Sequence, residues 1–274
     1  MANFGGSHFC IASKGIELFT FGTPNGFKIA IFLEELKAAY GLDYISQTID
    51  IFKNVQKEPW FTKLNPNGRI PAIVDHDNDE YVVFEGMAIL NYLARQKDTE
   101  FKFSFADELE ACTAEQWIAW QHGGLTPMQS QANVFYRFNP ERYAFPTQHF
   151  VGETERNYGI LNSRLADRDY IAGSGRGQYS IADMAIWPLA DALNVSGIEL
   201  SRFPNVYAWW ERVGERPAVK KGVCVPSGES FARGHAKVQE AKELDLKAWE
   251  EREGPLKEAL EKAQKEFGYV YKSP

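Results

Sequence analysis

Thr23 and Asn25 flank a proline at the start of a predicted helix, within the segment GTPNGFKIAIFLEEL (22–36). Small polar side chains at such a position commonly cap the helix by accepting hydrogen bonds from its first N–H groups, and proline is frequent in the first turn. The same terminus also attracts an anion, because its N–H groups and the helix dipole favour negative charge. The sequence leaves both interpretations open, a helix cap and an anion site.

The three cysteines lie far apart in the sequence, at Cys10, Cys112 and Cys224. They form neither a CxxC redox pair nor a cluster with the spacing of zinc ligands. The five histidines are scattered as well, and none shows the spacing of an HExxH site. We therefore expect no metal, and any thiol chemistry must use a sulfur that a substrate provides.

Charge and composition exclude several classes of partner. The chain has 274 residues, a net charge of −7 and a pI near 5.4. Nucleic acid and anionic membranes call for a basic surface, so neither is expected as a partner. The apolar runs are far shorter than the roughly 20 residues that span a bilayer, and the first residues lack the pattern of a signal peptide. The cytoplasm is the expected location.

The elements that must position these residues change character along the chain. Residues 15–98 alternate as strand, helix, strand, strand, strand and helix, which predicts an α/β domain. Residues 105–222 contain long helical patterns and predict an all-helical domain, with a bend or break at GGLTP (123–127). In the extension 223–274, residues 256–267 predict an amphipathic helix that lies on the body of the protein.

Three motifs at matching spacings resemble cytosolic glutathione transferases over about residues 15–222. NPNGRIPAIVD resembles the family segment with a cis proline, here Pro71, and FEGMAILNYLA resembles the acidic residue and helix start that hold the γ-glutamyl group. YSIADMAIW resembles the capping box of the helical domain, formed by Ser180 and Asp183. The resemblance implies a thioredoxin-like domain that binds glutathione, followed by an all-helical domain with a second-substrate pocket.

Within the family, the Thr-Pro-Asn tripeptide resembles the bacterial Nu class and the fungal relatives of the yeast nitrogen-regulator prion protein. WQHGGLTPMQSQANVF (120–135) is similar to the same group. The resemblance implies that Asn25 and Thr23 are catalytic and meet the thiol of glutathione. The Thr23 hydroxyl and the Asn25 amide can both donate to a thiolate without ionising, and neither is a strong base. Stabilisation of the thiolate and orientation of the second substrate would then carry catalysis.

The resemblance also implies the remaining contacts to glutathione. Ile70 would pair its backbone with the cysteinyl part, Glu85 would pair with the α-ammonium, and the Gly86 N–H would receive the γ-glutamyl carboxylate. Relatives often have serine where this chain has Gly86, and arginine where this chain has His149. An ordinary surface position stays open as the alternative for His149 and Gln56. The residues predicted to bind glutathione are Gln56, Arg69, Ile70, Pro71, Glu85, Gly86 and His149.

A second-substrate pocket is implied in the helical domain, where aromatic and methionine side chains suit a flat apolar partner. The alternative is that these aromatic residues at helical spacing belong to the core. The residues predicted for this pocket are Trp117, Trp120, His122, Met128, Phe135 and Tyr136.

The predicted function is conjugation of the glutathione thiolate to an apolar or aromatic electrophile, in detoxification or in fungal secondary metabolism. Two alternatives stay open, a glutathione-dependent disulfide reductase and a weakly catalytic glutathione-binding regulator. The Asn/Gln-rich segment of the prion relative has no counterpart before residue 15. Glutathione is expected as a co-substrate with no further cofactor, and the resemblance implies a homodimer.

Overall fold

The structure is a computed structural model that describes residues 11–228, 240 and 242–268. It divides into two compact units. The first contains the described residues up to Ser104 and those from Glu215 to 228, and the second contains Phe105–Gly214 and the described residues after 239. Two histidines and one cysteine lie outside the described residues, namely His8, His235 and Cys10.

The first unit contains a four-stranded sheet in the order β2-β1-β3-β4. Its strands are β1 (Ile16–Thr20), β2 (Tyr44–Thr48), β3 (Ala72–Asp75) and β4 (Tyr81–Phe84). β1 runs parallel to β2 and antiparallel to β3, which is antiparallel to β4. The fully buried residues Leu18 and Phe19 point to opposite faces because side chains alternate along a strand. The sheet therefore has a core on each face.

Three helices of this unit lie where the sequence predicts helices or room for one. They are α1 (Pro24–Tyr40), α2 (Pro59–Leu64) and α3 (Gly86–Lys97). Gly41 ends α1 in the left-handed region at φ 72°, a conformation that glycine adopts without a steric penalty. Phe61 and Leu64 of α2 pack with Phe19 in the core on one face of the sheet.

Helices form the second unit. They include α4 (Glu108–Trp120), α5 (Thr126–Asn133), α6 (Ala144–Arg164), α7 (Ile181–Asp191) and α8 (Pro204–Gly214). All 11 residues of α7 are buried, which places this helix at the centre of the unit. The predicted fold class, an α/β domain followed by a helical domain, is confirmed.

The predicted interruption at GGLTP is a widened helical turn. Residues Gln121–Leu125 form a π-helical turn between α4 and α5, and the residues that border it, Trp120 and Thr126, keep right-handed helical backbone angles. The chain therefore passes the two glycines without leaving the helix, and the break that the sequence allowed does not occur. Such π turns insert one extra residue per turn and re-aim the side chains that follow.

The helix that follows α8 groups with the α/β unit. α9 (Pro217–Gly222) packs on α1, where a Cβ at Gly222 would lie 2.7 Å from the Ile31 backbone. Its residues fall within the predicted helical domain 105–222, whereas the second unit ends at Gly214 before resuming after residue 239. The close contact with α1 is the physical reason for this difference.

The last described helix, α10 (Leu246–Phe267), packs on α6 within the second unit. It begins ten residues before the predicted start at residue 256 and contains Pro255 in its interior. Leu260 and Ala263 are buried on its inner side, as the apolar pattern predicts.

Candidate functional site

Three chain segments that carry predicted site residues meet at one edge of the sheet. Ala72, the first residue of β3, pairs with Phe19 on β1 and with Phe84 on β4. The end of β1, the start of β3 and the end of β4 are therefore neighbours. Beyond this edge, the loop after β1 leads to Thr23, Pro71 directly precedes β3, and Glu85 directly follows β4.

Thr23 caps α1. Its hydroxyl oxygen accepts a hydrogen bond from the Gly26 N–H at 3.3 Å, so the capping interpretation is confirmed. This bond uses a lone pair and leaves the hydroxyl proton available for donation. Asn25 is the second residue of the helix and is half-buried, and neither its amide nor its backbone N–H is hydrogen bonded to any residue that the structure describes.

The Ile70–Pro71 peptide bond is cis, as the resemblance predicts. The Ile70 side chain packs against the core cluster that contains Phe61 and Val74. This packing fixes the residue while its backbone stays unpaired: within the described ranges, neither the N–H nor the C=O of Ile70 makes a hydrogen bond. An extended peptide could pair with these two groups.

Gln56 lies beside the same loop. Its carbonyl oxygen would be 2.9 Å from a Cβ at Gly68, which has φ 60°. The Gln56 side-chain oxygen is buried and has no hydrogen-bond partner among the described residues. The Arg69 side chain is exposed, and its backbone carbonyl accepts a hydrogen bond from the Asn65 amide at 2.7 Å.

Glu85 precedes α3 with φ 70° and ψ 121°, which lies outside the conformations that non-glycine residues usually adopt. Its side chain does not cap the helix, so the first N–H groups, beginning with Gly86, receive no side-chain cap. The Asn67 amide donates to the Glu85 carboxylate at 3.4 Å. This terminus combines N–H groups that can bind a carboxylate with an acidic side chain that can bind an ammonium group.

Lys28 lies beside this helix start, although no motif in the sequence predicts a role for it. Only 2% of the residue is exposed, and a Cβ at Gly86 would lie 3.2 Å from its Cδ and 3.8 Å from its Nζ. Burial lowers the pKa of Lys28 to about 7, and attraction to Glu85 opposes that shift. The available signal was one charged residue inside the apolar helix face of FKIAIFL.

Both halves of the chain match models of known domains. Residues 14–95 match the glutathione S-transferase N-terminal domain, and residues 137–217 match the glutathione S-transferase C-terminal domain. The disulfide-bond oxidoreductase YfcG of Escherichia coli (strain K12) is 38% identical over 207 residues, which cover 74% of this chain and 92% of that protein. This chain belongs to the glutathione S-transferase family.

Solved structures of similar proteins agree with this assignment. A glutathione transferase homolog from Lodderomyces elongisporus, described with two GSH per subunit, is 37% identical with a TM-score of 0.72, covering 78% of this chain and 99% of that one. Ure2p in complex with glutathione is 30% identical with a TM-score of 0.71, covering 77% of this chain and 94% of that one. The resemblance inferred from the motifs and the thioredoxin-like character of the first unit are confirmed.

His149 lies on α6. It is the predicted glutathione contact of this glutathione S-transferase that lies outside the first unit. It is half-buried, its ring stacks on Phe145 at 5.8 Å, and it meets the Phe150 ring edge-to-face at 5.2 Å. Aromatic packing thus accounts for its orientation. Its contact with glutathione stays a prediction.

The residues predicted for the second-substrate pocket occupy several positions in the helical unit. Trp117 and Trp120 meet edge-to-face at 5.2 Å on α4, while His122 is exposed on the π-helical turn that follows. Met128 is half-buried on α5. A common pocket for all six residues stays a prediction.

Phe135 and Tyr136 line a cavity of about 260 Å³. They lie on a second π-helical turn, Val134–Phe138, and the opposite wall of the cavity belongs to α10. Tyr136 is only 1% exposed, and its ring fills the space where a Cβ at Gly197 would stand. Burial raises the pKa of the Tyr136 hydroxyl to about 12. Tyr136 therefore packs as a core residue that also borders the cavity.

Within residues 11–228, 240 and 242–268, no group of three or more His, Cys, Asp or Glu side chains could hold a metal ion. In the same part of the chain, no helix has the length and apolar character needed to cross a membrane.

Proposed function

We propose that this protein binds glutathione along the sheet edge between the starts of α1 and α3 and joins its thiolate to an electrophile. The unpaired backbone of Ile70 is the observation that carries this proposal. It lies beside the cis proline on the edge where Thr23, Asn25 and Glu85 converge. A tripeptide that pairs with Ile70 would have its sulfur toward one helix start and its γ-glutamyl group toward the other.

Asn25 and Thr23 are the proposed partners of the sulfur. The Asn25 amide and backbone N–H make no hydrogen bond within the described part of the chain, and the Thr23 hydroxyl keeps its proton for donation. Donors at a helix start favour the thiolate over the thiol and so lower the pKa of bound glutathione. The thiolate is the nucleophile, and no side chain needs to act as a strong base.

The rest of the peptide would use the other predicted contacts. The first N–H groups of α3, beginning at Gly86, bind the γ-glutamyl carboxylate, and Glu85 binds the adjacent ammonium group. The buried side-chain oxygen of Gln56 lacks a partner among the described residues and can accept from the glycyl N–H. Arg69 and His149 supply polar groups, and His149 adds positive charge only when it is protonated.

In the transferase reaction the thiolate forms an S–C bond with an electrophilic carbon, and the leaving group departs with the electron pair. We propose an apolar or aromatic electrophile because the helical unit offers aromatic side chains such as Trp117 and Trp120. Detoxification and fungal secondary metabolism are the settings in which such a substrate would arise.

Disulfide reduction is the second candidate, and the name of the similar YfcG protein favours it. The glutathione thiolate would attack one sulfur of a disulfide, form a mixed disulfide and release a thiolate. The thiolate of a second glutathione would then attack the glutathione sulfur of the mixed disulfide, forming glutathione disulfide and releasing the remaining substrate thiolate. Because glutathione supplies both thiols, the reaction needs no cysteine at the start of α1. A weakly catalytic glutathione-binding regulator is the third candidate.

We further propose that the protein is a cytoplasmic homodimer. The cytoplasm maintains the reduced glutathione that either reaction consumes. The family resemblance supports dimerisation, and Phe52 offers a large side chain that is 84% exposed in the isolated chain. Analytical ultracentrifugation of the purified protein tests the oligomeric state.

A crystal structure with glutathione tests the binding site directly. We expect the sulfur within hydrogen-bond distance of Asn25 or Thr23, and the cysteinyl backbone paired with Ile70. A sulfur held by a tyrosine, or by Cys10, which lies outside the described residues, would contradict the proposal. Activity of the same preparation toward an aryl halide and toward a small mixed disulfide of glutathione separates the first two candidates, and binding without either activity would favour the regulator.

Calorimetric titration of variants tests the role of Glu85. Glu85→Ala should weaken glutathione binding by about 10- to 150-fold, since a hydrogen bond to a charged group is worth about 1.5 to 3 kcal/mol. Glu100→Ala is the matched control, because Glu100 belongs to the same unit and its carboxylate forms an exposed ion pair with Lys102. Equal effects of the two substitutions on glutathione affinity would show that Glu85 does not bind glutathione.

A further inference from the structure

Lys28 is a buried cation located directly behind the start of α3. It is 2% exposed, although lysine is rarely buried to this extent. Its Cδ lies 3.2 Å and its Nζ 3.8 Å from the position that a Cβ at Gly86 would take. Gly86 therefore leaves room for the lysine chain at this helix start.

Glu85 connects this buried amine to the surface of the site. The residue has φ 70°, a conformation that costs free energy in a non-glycine residue and persists only where its surroundings hold it. Asn67 donates to its carboxylate from one side, at 3.4 Å. The charge of Glu85 also acts on the Lys28 amine and favours its protonated form.

We propose that Lys28 is a positioning residue of the glutathione site: its buried ammonium group orients the Glu85 carboxylate and adds positive charge where the γ-glutamyl carboxylate binds. This inference rests on the proposed function, because it concerns the same binding site. Lys28 is too buried to serve as a contact residue, so it acts through Glu85 and through the field at the start of α3.

A pH dependence of binding follows from the burial of the amine. Burial lowers the pKa of Lys28 to about 7, so its charge changes within the neutral range. A bound carboxylate would favour the protonated amine and raise this pKa. Glutathione should therefore bind more tightly at pH 6 than at pH 8.5, and binding near neutral pH should take up protons.

The experiment uses S-methylglutathione, whose sulfur cannot titrate, so the pH dependence of the thiol is removed. Its dissociation constant is measured by calorimetry from pH 6 to pH 8.5, in two buffers of different ionisation enthalpy to count the protons taken up. For the wild-type protein we expect the affinity to fall about tenfold over this range, which corresponds to a pKa displacement of about one unit. Thermal unfolding of each variant checks that it is folded.

Three variants separate the role of Lys28 from that of other groups. Lys28→Met should bind several-fold more weakly at pH 6 and lose most of the pH slope and the proton uptake. Lys28→Arg should keep the low-pH affinity and lose the slope, because its guanidinium group stays charged. Lys37→Met, an exposed lysine on the same helix, should behave like the wild-type protein. His149 is unchanged in all three variants, so differences between them come from the lysines.

The outcomes distinguish this inference from the proposed function. A wild-type protein that fails to bind S-methylglutathione at any pH would overturn the proposed site itself. If the wild-type protein binds but Lys28→Met retains both the affinity and the proton uptake, the site stands and the positioning role of Lys28 is wrong. A wild-type protein without a pH slope would contradict the inference as well, even if Lys28→Arg or Lys28→Met did not fold.

Discussion

Asn25 and Thr23 occupy the same helix start but do different things in the structure. Thr23 accepts a hydrogen bond from the first turn, whereas the Asn25 amide has no partner among the described residues. A residue that only caps a helix accepts hydrogen bonds from it. The donor capacity of Asn25 is what a thiolate requires, so a substitution at this position should affect the sulfur more than the fold.

We expect Asn25→Ala to raise the pKa of bound glutathione and to slow conjugation near neutral pH by about 5- to 150-fold, equivalent to about 1 to 3 kcal/mol. Activity should partly recover as the pH rises, because hydroxide then forms the thiolate without the donor. Asn25→Asp should be slower still, since a carboxylate of the same size repels the thiolate. Rate profiles from about pH 6 to pH 9 measure both effects.

Two results would contradict this role. A constant fraction of wild-type activity at every pH would mean that Asn25 positions the second substrate and does not stabilise the thiolate. Unchanged activity at every pH would mean that the segment acts only as a helix cap.

At the scale of the elements, α7 depends on a capping box that the sequence predicts and the structure confirms. Asp183 accepts hydrogen bonds from the backbone N–H of Ser180 at 3.0 Å and of Ile171 at 3.1 Å, and from the Trp209 indole at 2.8 Å. The helix start, the preceding loop and α8 therefore share one buried carboxylate. Burial raises the pKa of Asp183 to about 6, against the opposing effect of these hydrogen bonds.

Asp183→Ala should destabilise the protein by about 3 kcal/mol or more, because it leaves three buried donors without an acceptor at about 1 to 3 kcal/mol each. Asp107→Ala is the matched control: Asp107 caps α4 in an exposed position, and losing such a cap costs about 1 kcal/mol. Denaturant unfolding measures both. Equal losses would show that burial adds nothing to the cap.

The pH dependence of this difference has a definite sign. The folded pKa of Asp183, about 6, is above its ordinary value of 3.8, so its contribution to stability is largest below about pH 4 and decreases as the pH rises through 6. The stability difference between wild type and Asp183→Ala should therefore shrink between pH 4 and pH 6.

The elements were predictable where a local pattern determines them. Short β-rich runs located the strands, and Ser180 with Asp183 located the start of α7, because both signals lie within a few residues of sequence. The π-helical turn at Gln121–Leu125 was not predictable, since glycine and proline indicate a break and the surrounding packing maintains the helix. Within the candidate site, the role of Lys28 was hidden because its neighbours Glu85 and Gly86 come from a distant part of the chain.

At the scale of the whole molecule, the two units have different proposed roles. The proposed glutathione contacts, apart from His149, belong to the first unit, while the aromatic residues proposed for the second substrate belong to the helical unit. The C-terminal extension adds α10 to the helical unit and forms one wall of the cavity beside Phe135 and Tyr136. Its attachment therefore determines whether that cavity exists.

Glu253 is the anchor of α10. Its carboxylate accepts two hydrogen bonds from Arg137, at 2.8 and 2.9 Å, and the two side chains are only 5% and 17% exposed. Arg137 also donates to the backbone carbonyl of Val195 at 3.1 Å. The sequence did not predict this contact, because a glutamate on the inner side of a helix interrupts the apolar pattern that locates its buried face.

We expect Glu253→Gln to loosen α10 and to speed its removal by a protease, because breaking a buried ion pair costs about 3 to 5 kcal/mol. We expect the lower end of this range, because Arg137 keeps its hydrogen bond to the Val195 carbonyl. Glu261→Gln, an exposed position on the same helix, is the control and should be cleaved at the wild-type rate.

Burial raises the pKa of Glu253, but the hydrogen bonds and charge of Arg137 and Arg252 outweigh it and lower the pKa below 4.5. The contribution of this pair is thus complete above about pH 4.5 and is lost as the pH falls through the lower folded value. The difference in cleavage rate between wild type and Glu253→Gln should be constant from pH 7 to pH 5, where an acid-tolerant protease allows the comparison. It should shrink as the pH falls below about 4.5 and through the lowered folded pKa, and a difference that grows on acidification would show that Glu253 does not anchor the helix as a charged group.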